Sequence, residues 1–171
     1  MIAHIIGAPT QPRNDQLRVP LPGPGFRPIT RLVLPRIDLA ADVVPAQLTE
    51  RDGGETWSVP AFKVGHAEGT AGAGQPGNAV LLGHVTSLHS GNVFETLDRA
   101  AVGDLVQIFS NADEFDYQVT SVEHVPRTDT DVVAQGTQPT ISMITCTGVW
   151  LPTIWDYTER LVVRAELVGH G

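Results

Sequence analysis

The chain has 171 residues, one cysteine and a formal net charge of −8. One cysteine excludes an internal disulfide and any zinc site built from several thiolates. The acidic balance argues against non-specific nucleic-acid binding, which relies on basic surface to displace counterions. With 42% hydrophobic and 18% charged residues, the composition is that of a single globular domain with a sizeable core.

In chain order, "MIAHIIGA" is apolar but far shorter than the roughly 18–20 residues that span a bilayer, and it lacks a basic flank and a cleavage site. The expectation is a soluble chain, or one whose membrane anchor lies upstream. Pro9, Pro12, Pro20, Pro22, Gly23, Pro24, Gly25 and Pro28 crowd the next stretch, so residues 1–28 read as a Pro/Gly-rich arm or linker and 29–171 as the compact domain. Such an arm suits either a lid across a cleft or a tether.

Strand signals then dominate. They fall at 29–35 (ITRLVLP), weakly at 42–44, at 61–65 (AFKVG) and at 78–84, where NAVLLGH has the continuous apolar character of a fully buried strand. Alternating runs follow at 104–110 and 115–125, with Phe115, Tyr117 and Val119 on one face. Strands at 139–146 (PTISMITC) and 160–168 (RLVVRAELV) bring the number to about eight. Helical signal is sparse: 92–103 places Val93, Phe94, Leu97 and Ala101 at helical spacing before Gly103, and 129–136 suits a single turn. Many strands, few helices and no βαβ rhythm predict an all-β closed barrel or sandwich.

His84 follows one buried strand, Cys146 is expected to end another, and Arg160 to open the last. Strand ends at one rim bring such distant positions together. A thiolate, an imidazole and a guanidinium suit acyl transfer: nucleophile, proton carrier and oxyanion partner. Each residue has a plainer reading, as a buried apolar cysteine, a turn histidine, and an arginine paired on the surface with Glu159.

The order and spacing of these segments resemble the sortase family of cysteine transpeptidases from about Ile29 to Val168. GNAVLLGH (77–84) is similar to the family's strand entering its catalytic histidine, and VFETLDRAAVGD (93–104) to the helix and Gly-Asp turn that follow. SMITC (142–146) is similar to the Thr-Leu-x-Thr-Cys signature, RLVVRAEL (160–167) to the strand that begins with the catalytic arginine, and RLVLPRIDLAADVV (31–44) to the opening strand pair. The departures are Ser142 for threonine and Met143 for leucine, which keep a small hydroxyl and an apolar core residue.

The resemblance implies an eight-stranded barrel with His84, Cys146 and Arg160 as the catalytic residues and no metal or organic cofactor. It implies cleavage of an LPxTG-like sorting motif through a thioester, and transfer to an amine from a cell-wall peptide or a pilin lysine. Partners would be surface proteins bearing that motif, at the extracellular face of the bacterial envelope, with membrane association through a segment absent from this chain. Candidate substrate-binding residues are Thr145, Val132 and Val133 before the cysteine, and Trp150 and Trp155 in the loop beyond it. By strand alternation Thr145 faces away from Cys146. The competing function is a non-catalytic extracellular β-barrel that binds peptide or envelope partners. The papain-type order places cysteine before histidine, opposite to this chain.

Other features carry less. The glycine-rich stretch 67–78 lacks the Gly-Lys-Ser/Thr of a phosphate loop. His66, His84 and His89 match no helix-borne zinc spacing. Asp113, Glu114 and Asp116 lack the EF-hand pattern, so a solvated hairpin turn is favoured there over a calcium site.

Overall fold

The computed structural model describes residues 24–51 and 54–171. Eight strands close a barrel in the order β1 (Arg31–Leu34), β2 (Leu39–Ala46), β5 (Val64–Ala67), β6 (Gly77–Leu82), β9 (Pro139–Leu151), β10 (Asp156–His170), β8 (Asp113–Pro126) and β7 (Leu105–Ser110). The remaining strands, β3 (Leu48–Arg51) and β4 (Gly54–Trp57), form a separate hairpin. Closure leaves the barrel sheet without an open edge. Two joins are parallel, β2–β5 and β6–β9. Parallel neighbours need crossovers, and the chain makes them through the β3–β4 hairpin and through residues 83–138.

Alternation decides what fills the barrel. Leu32 and Leu34, Val106 and Ile108, Phe115, Tyr117 and Val119, Ile141 and Met143, and Leu161 and Val163 share one continuous interior core. β6 is buried at every position because both its faces are covered. Ala79 and Leu81 point into the barrel core. Val80 and Leu82 join a second cluster with Ala67, Val132, Ile144, Cys146 and Val162, covered in part by Trp57, Val59 and Val133.

The second cluster is roofed by a 3-10 turn at Asp131–Val133, which Asn78 holds down. Its Nδ2 donates to the carbonyls of Val132 (3.2 Å) and Ala134 (3.3 Å), and its Oδ1 accepts the Ser142 hydroxyl at 2.9 Å. Gln135 completes the clamp by pairing with the Asn78 backbone in both directions, at 3.0 and 2.9 Å. The serine in the signature therefore has a buried task, and Met143 is a fully buried core residue.

Several expectations are corrected. Residues 92–103 do not form an α-helix: the regular part is one 3-10 turn at Leu97–Arg99. The Phe94 amide donates to the His84 carbonyl at 3.0 Å, and Leu97 bonds back to Phe94 at 3.1 Å, so three-residue spacing turns both side chains inward. Ala100 rather than Ala101 is buried as a result. The strand expected at 61–65 lies at Val64–Ala67, because Phe62 adopts φ 59° and breaks the extended run. The β3–β4 hairpin had no counterpart among the expected strands.

Asn111 and Ala112 make a tight two-residue hairpin turn, with Ser110 paired to Asp113 and Asn111 at φ 55°, and residues 113–116 already belong to β8. Among the described residues no three His, Cys, Asp or Glu side chains gather as a metal-ligand set. Residues 1–23 of the expected arm lie outside the described residues, and with them the choice between lid and tether. The end of the arm packs on the barrel: Arg27 donates its amide to Gln75 Oε1 at 3.0 Å, Gln75 Nε2 donates to the Gly25 carbonyl at 3.0 Å, and Arg27 lies 5.6 Å from the Phe115 ring centroid.

Replacing Asn78 by alanine removes the donors to two carbonyls and the acceptor for Ser142. It is expected to lower unfolding stability by about 2 kcal/mol, the scale for stranding buried polar groups, read as a shifted midpoint in urea.

Candidate active site

Three adjacent strands build the site. β10 runs antiparallel to β9 with Arg160 directly opposite Cys146, and opposed residues of such a pair project to the same face. β6 runs parallel to β9, with Leu82 level with Ile144. The ladder persists one step further, since the Gly83 amide donates to the Ile144 carbonyl at 3.3 Å. β6 ends at Leu82, and His84 follows two residues later, just past the strand's end. Leu82, Ile144 and Val162 lie in the outer cluster with Cys146. Period-two alternation puts Cys146 and Arg160 on that same outer face.

The strand-end placement expected for Cys146 and Arg160 is corrected. β9 continues five residues past Cys146 to Leu151, and β10 begins four residues before Arg160 at Asp156. The rim is made instead by β6, which stops at Leu82 while its neighbours run on as a projecting hairpin. A register shift between Tyr157 and Glu159, with Gly148 at φ 84°, bends that hairpin.

Arg160 is 1% exposed, which a guanidinium tolerates when it is paired. Its Nη2 donates to both carboxylate oxygens of Asp156, at 3.0 and 2.8 Å, and its Nη1 donates to the carbonyls of Glu159 (3.0 Å) and Tyr157 (3.3 Å). The surface pair expected with Glu159 is therefore replaced by a buried pair with Asp156. Arg127 approaches the same carboxylate at 4.0 Å.

Cys146 is 2% exposed. Burial pushes its thiol up to about 11, with the positive charge of Arg160 opposing that rise and the Asp156 carboxylate adding to it. His84 is held below the ordinary imidazole range by burial, against the opposing effect of a hydrogen bond to the Val59 carbonyl. At neutral pH the thiol and the imidazole thus both rest uncharged.

Thr145 is fully buried, and its hydroxyl donates to the Gly83 carbonyl at 2.7 Å. It faces away from the groove and fixes the backbone just before His84. Val132 and Val133 pack against the cluster that contains Cys146. Trp150 and Trp155 do line a cavity: about 310 Å³ bordered by His84, Thr86, Ser87, Ser90, Trp150, Trp155 and Tyr157. Trp150 meets Trp155 and Tyr157 edge-on at 6.2 and 5.2 Å. Trp155 adopts φ 52°, a conformation unfavourable for a bulky side chain and kept where the surroundings impose it. Sequence reasoning missed Asp156, the Val59 carbonyl and the hydroxyls of Thr86, Ser87 and Ser90. The spacing of Asp156 and Arg160, four residues apart before a buried strand, was the available signal for the first.

The class that these observations define is a closed eight-stranded β-barrel with Cys146 paired to Arg160 and His84 just past the end of the neighbouring strand. The sortase domain family model matches residues 32–168, and the chain belongs to that family. Sortase A of Bacillus anthracis is 33% identical over 93 residues, covering 54% of this chain and 41% of that protein. The match thus spans about two-fifths of the length of that relative. Among solved structures, a Clostridium perfringens sortase D5 transpeptidase is 26% identical with a TM-score of 0.64, covering 83% of this chain and 79% of that one. Sortase C-1 from Actinomyces oris is 25% identical with a TM-score of 0.60, covering 81% and 72%. Among the described residues no helix is long and apolar enough to cross a membrane.

A Cβ added at Gly83 would lie 2.6 Å from the fully buried Phe94 ring and 2.8 Å from Val93. Gly83→Ala is therefore expected to cost about 1–3 kcal/mol and to displace His84, so activity falls more than the folded fraction measured by circular dichroism. Iodoacetamide labelling of Cys146 should be slow at neutral pH and rise toward pH about 11. In Arg160→Gln the loss of the opposing positive charge moves that profile to higher pH still.

Proposed function

We propose that this chain is a sortase-type cysteine transpeptidase. The observation that supports the reading is the register of β9 and β10, which pairs Arg160 with Cys146, together with His84 two residues past the end of β6, the strand on the other edge of β9. In the first half-reaction the Cys146 thiol passes its proton to His84, and Sγ bonds to the carbonyl carbon of the peptide's scissile bond. Negative charge moves to the carbonyl oxygen, where Arg160 stabilises it. The C–N bond breaks as His84 returns the proton to the departing amine, leaving a thioester on Cys146. In the second half-reaction an amine attacks the thioester carbon, His84 takes its proton, and the new amide leaves as the Cys146 thiol is restored.

The substrate class that family membership favours is a surface protein with an LPxTG-like sorting motif cut between threonine and glycine. The acceptor amine would come from a cell-wall peptide or a pilin lysine, at the outer face of the bacterial envelope. In this reading the partly exposed Val133, packed on the outer cluster, would contribute apolar wall for the motif's leucine and proline, with Val132 buried beneath it. The cavity bordered by His84 would receive the acceptor amine.

Incubation with LPxTG-type and LAxTG-type peptides plus an amine tests this reading. The expected result is a transpeptidation product and a thioester on Cys146 by mass spectrometry, both absent from Cys146→Ala. A wild-type protein that yields neither, and matches the alanine variant across the panel, sinks the enzyme reading in favour of a binding barrel. For the aromatic cavity, Trp150→Ala is expected to raise KM for the peptide or the amine with little change in melting temperature. A stability loss with unchanged kinetics would make the ring a structural cover.

A further inference from the structure

The contacts of Arg160 raise a question that the catalytic trio leaves open. A guanidinium beside a thiol is useful only if it points at the place where charge develops, and a side chain with four rotatable bonds has many alternatives. The structure restricts those alternatives through Asp156. This residue is 2% exposed and opens β10, four residues before Arg160. Both of its oxygens receive Nη2, at 3.0 and 2.8 Å, and Oδ1 also accepts the Tyr157 amide at 2.7 Å, which fixes the carboxylate itself. Nη1 is turned to the carbonyls of Glu159 and Tyr157.

We propose that Asp156 is a positioning residue for the transpeptidation: its buried carboxylate fixes the Arg160 guanidinium on the groove face next to Cys146. The proposal rests on the transpeptidase reading for its kinetic consequence, but not for its effect on the thiol. The charged groups around the pair are few. Arg127 lies 4.0 Å from Asp156 Oδ2 on the more exposed side, Glu159 belongs to the same strand and is paired with Thr147, and His84 follows the end of β6 on the other side of β9. Arg127 supplies a second positive charge to the carboxylate. Two cations around one anion leave the site net positive, so Asp156 orients Arg160 without cancelling the positive field that an oxyanion needs. Leu151, opposite Asp156 across the hairpin, and the adjacent Trp155 tie this carboxylate to the loop that borders the aromatic cavity.

The test compares Asp156→Asn and Asp156→Glu in peptide transpeptidation and in pH-resolved iodoacetamide labelling of Cys146, each at a folded fraction confirmed by circular dichroism. Asp156→Asn keeps the shape but removes the charge. Its kcat is expected to fall roughly 10- to 100-fold with KM within about twofold. A released Arg160 no longer lowers the thiol, and because that effect outweighs the one Asp156 has on the thiol the labelling profile should move to higher pH. Asp156→Glu keeps the charge and should recover much of kcat, with labelling near the wild-type profile. Wild-type kcat in a folded Asp156→Asn, or an Asp156→Glu no better than Asp156→Asn, would overturn the proposal. If Asp156→Asn fails to fold, the Glu variant decides: near-wild-type kcat and labelling support the role, and loss of kcat in a folded Glu variant with unchanged KM and unmoved labelling refutes it. If the wild type turns over no peptide, the transpeptidase reading fails. The labelling arm then still decides whether Asp156 holds Arg160 at the thiol: an upward shift in Asp156→Asn supports the positioning, and a downward shift or an unmoved profile overturns it.

Discussion

The site depends on one constraint, the simultaneous pairing of β9 with a parallel neighbour and an antiparallel one. β9 accepts β6 along one edge and β10 along the other, so a single strand sets the level of both partners. Because side chains alternate with period two, a one-residue slip in either ladder would send a member of the trio into the barrel core. The register is held by more than backbone bonds. Met143, Ile141, Leu161 and Val163 fill the interior while Ile144 and Val162 fill the outer cluster. The Asn78–Ser142 hydrogen bond ties β6 to β9 diagonally across that ladder.

Burial on both faces has an electrostatic consequence. The same covering that buries β6 at every position removes water from Cys146 and His84, pushing the thiol up and the imidazole down. Both groups rest uncharged at neutral pH. Such an arrangement protects the thiol from casual reaction, since a neutral buried thiol is a poor nucleophile. It also makes the thiolate depend on the positive charge next to it. The arginine in turn depends on its carboxylate partner, because an unpaired guanidinium at that depth would carry a heavy desolvation cost. Thiol, guanidinium and carboxylate form one linked electrostatic unit.

The elements outside the barrel act on this unit through backbone groups. The Phe94 amide bonds the His84 carbonyl, the Thr145 hydroxyl bonds the Gly83 carbonyl, and the Val59 carbonyl meets the His84 ring. Residues with no chemistry of their own thereby fix where the imidazole sits. Thr145 is the plainest case: adjacent to the nucleophile in sequence, it serves the neighbouring strand's turn from the opposite face.

The barrel strands were largely readable from the chain, because alternation at 105–110 and 115–125 and the apolar run at 77–82 are local signals. His84, Cys146 and Arg160 were readable through their order and flanking segments. What the sequence did not carry was long-range. The 92–103 stretch has helical spacing, but its Phe94 amide is taken by a carbonyl ten residues earlier, and a 3-10 turn resulted. Cys146 reads as a strand end since Gly148 follows, yet pairing with β10 carries the strand on to Leu151. Glu159 stands next to Arg160 in the chain, but strand geometry points adjacent residues to opposite faces, so the partner is Asp156. By itself the sequence determined which residues have the chemistry and which strands bury them, because apolar periodicity and residue type are properties of a short segment. Tertiary structure alone decided register, burial and pairing, because those depend on segments some 60 residues apart meeting at one level.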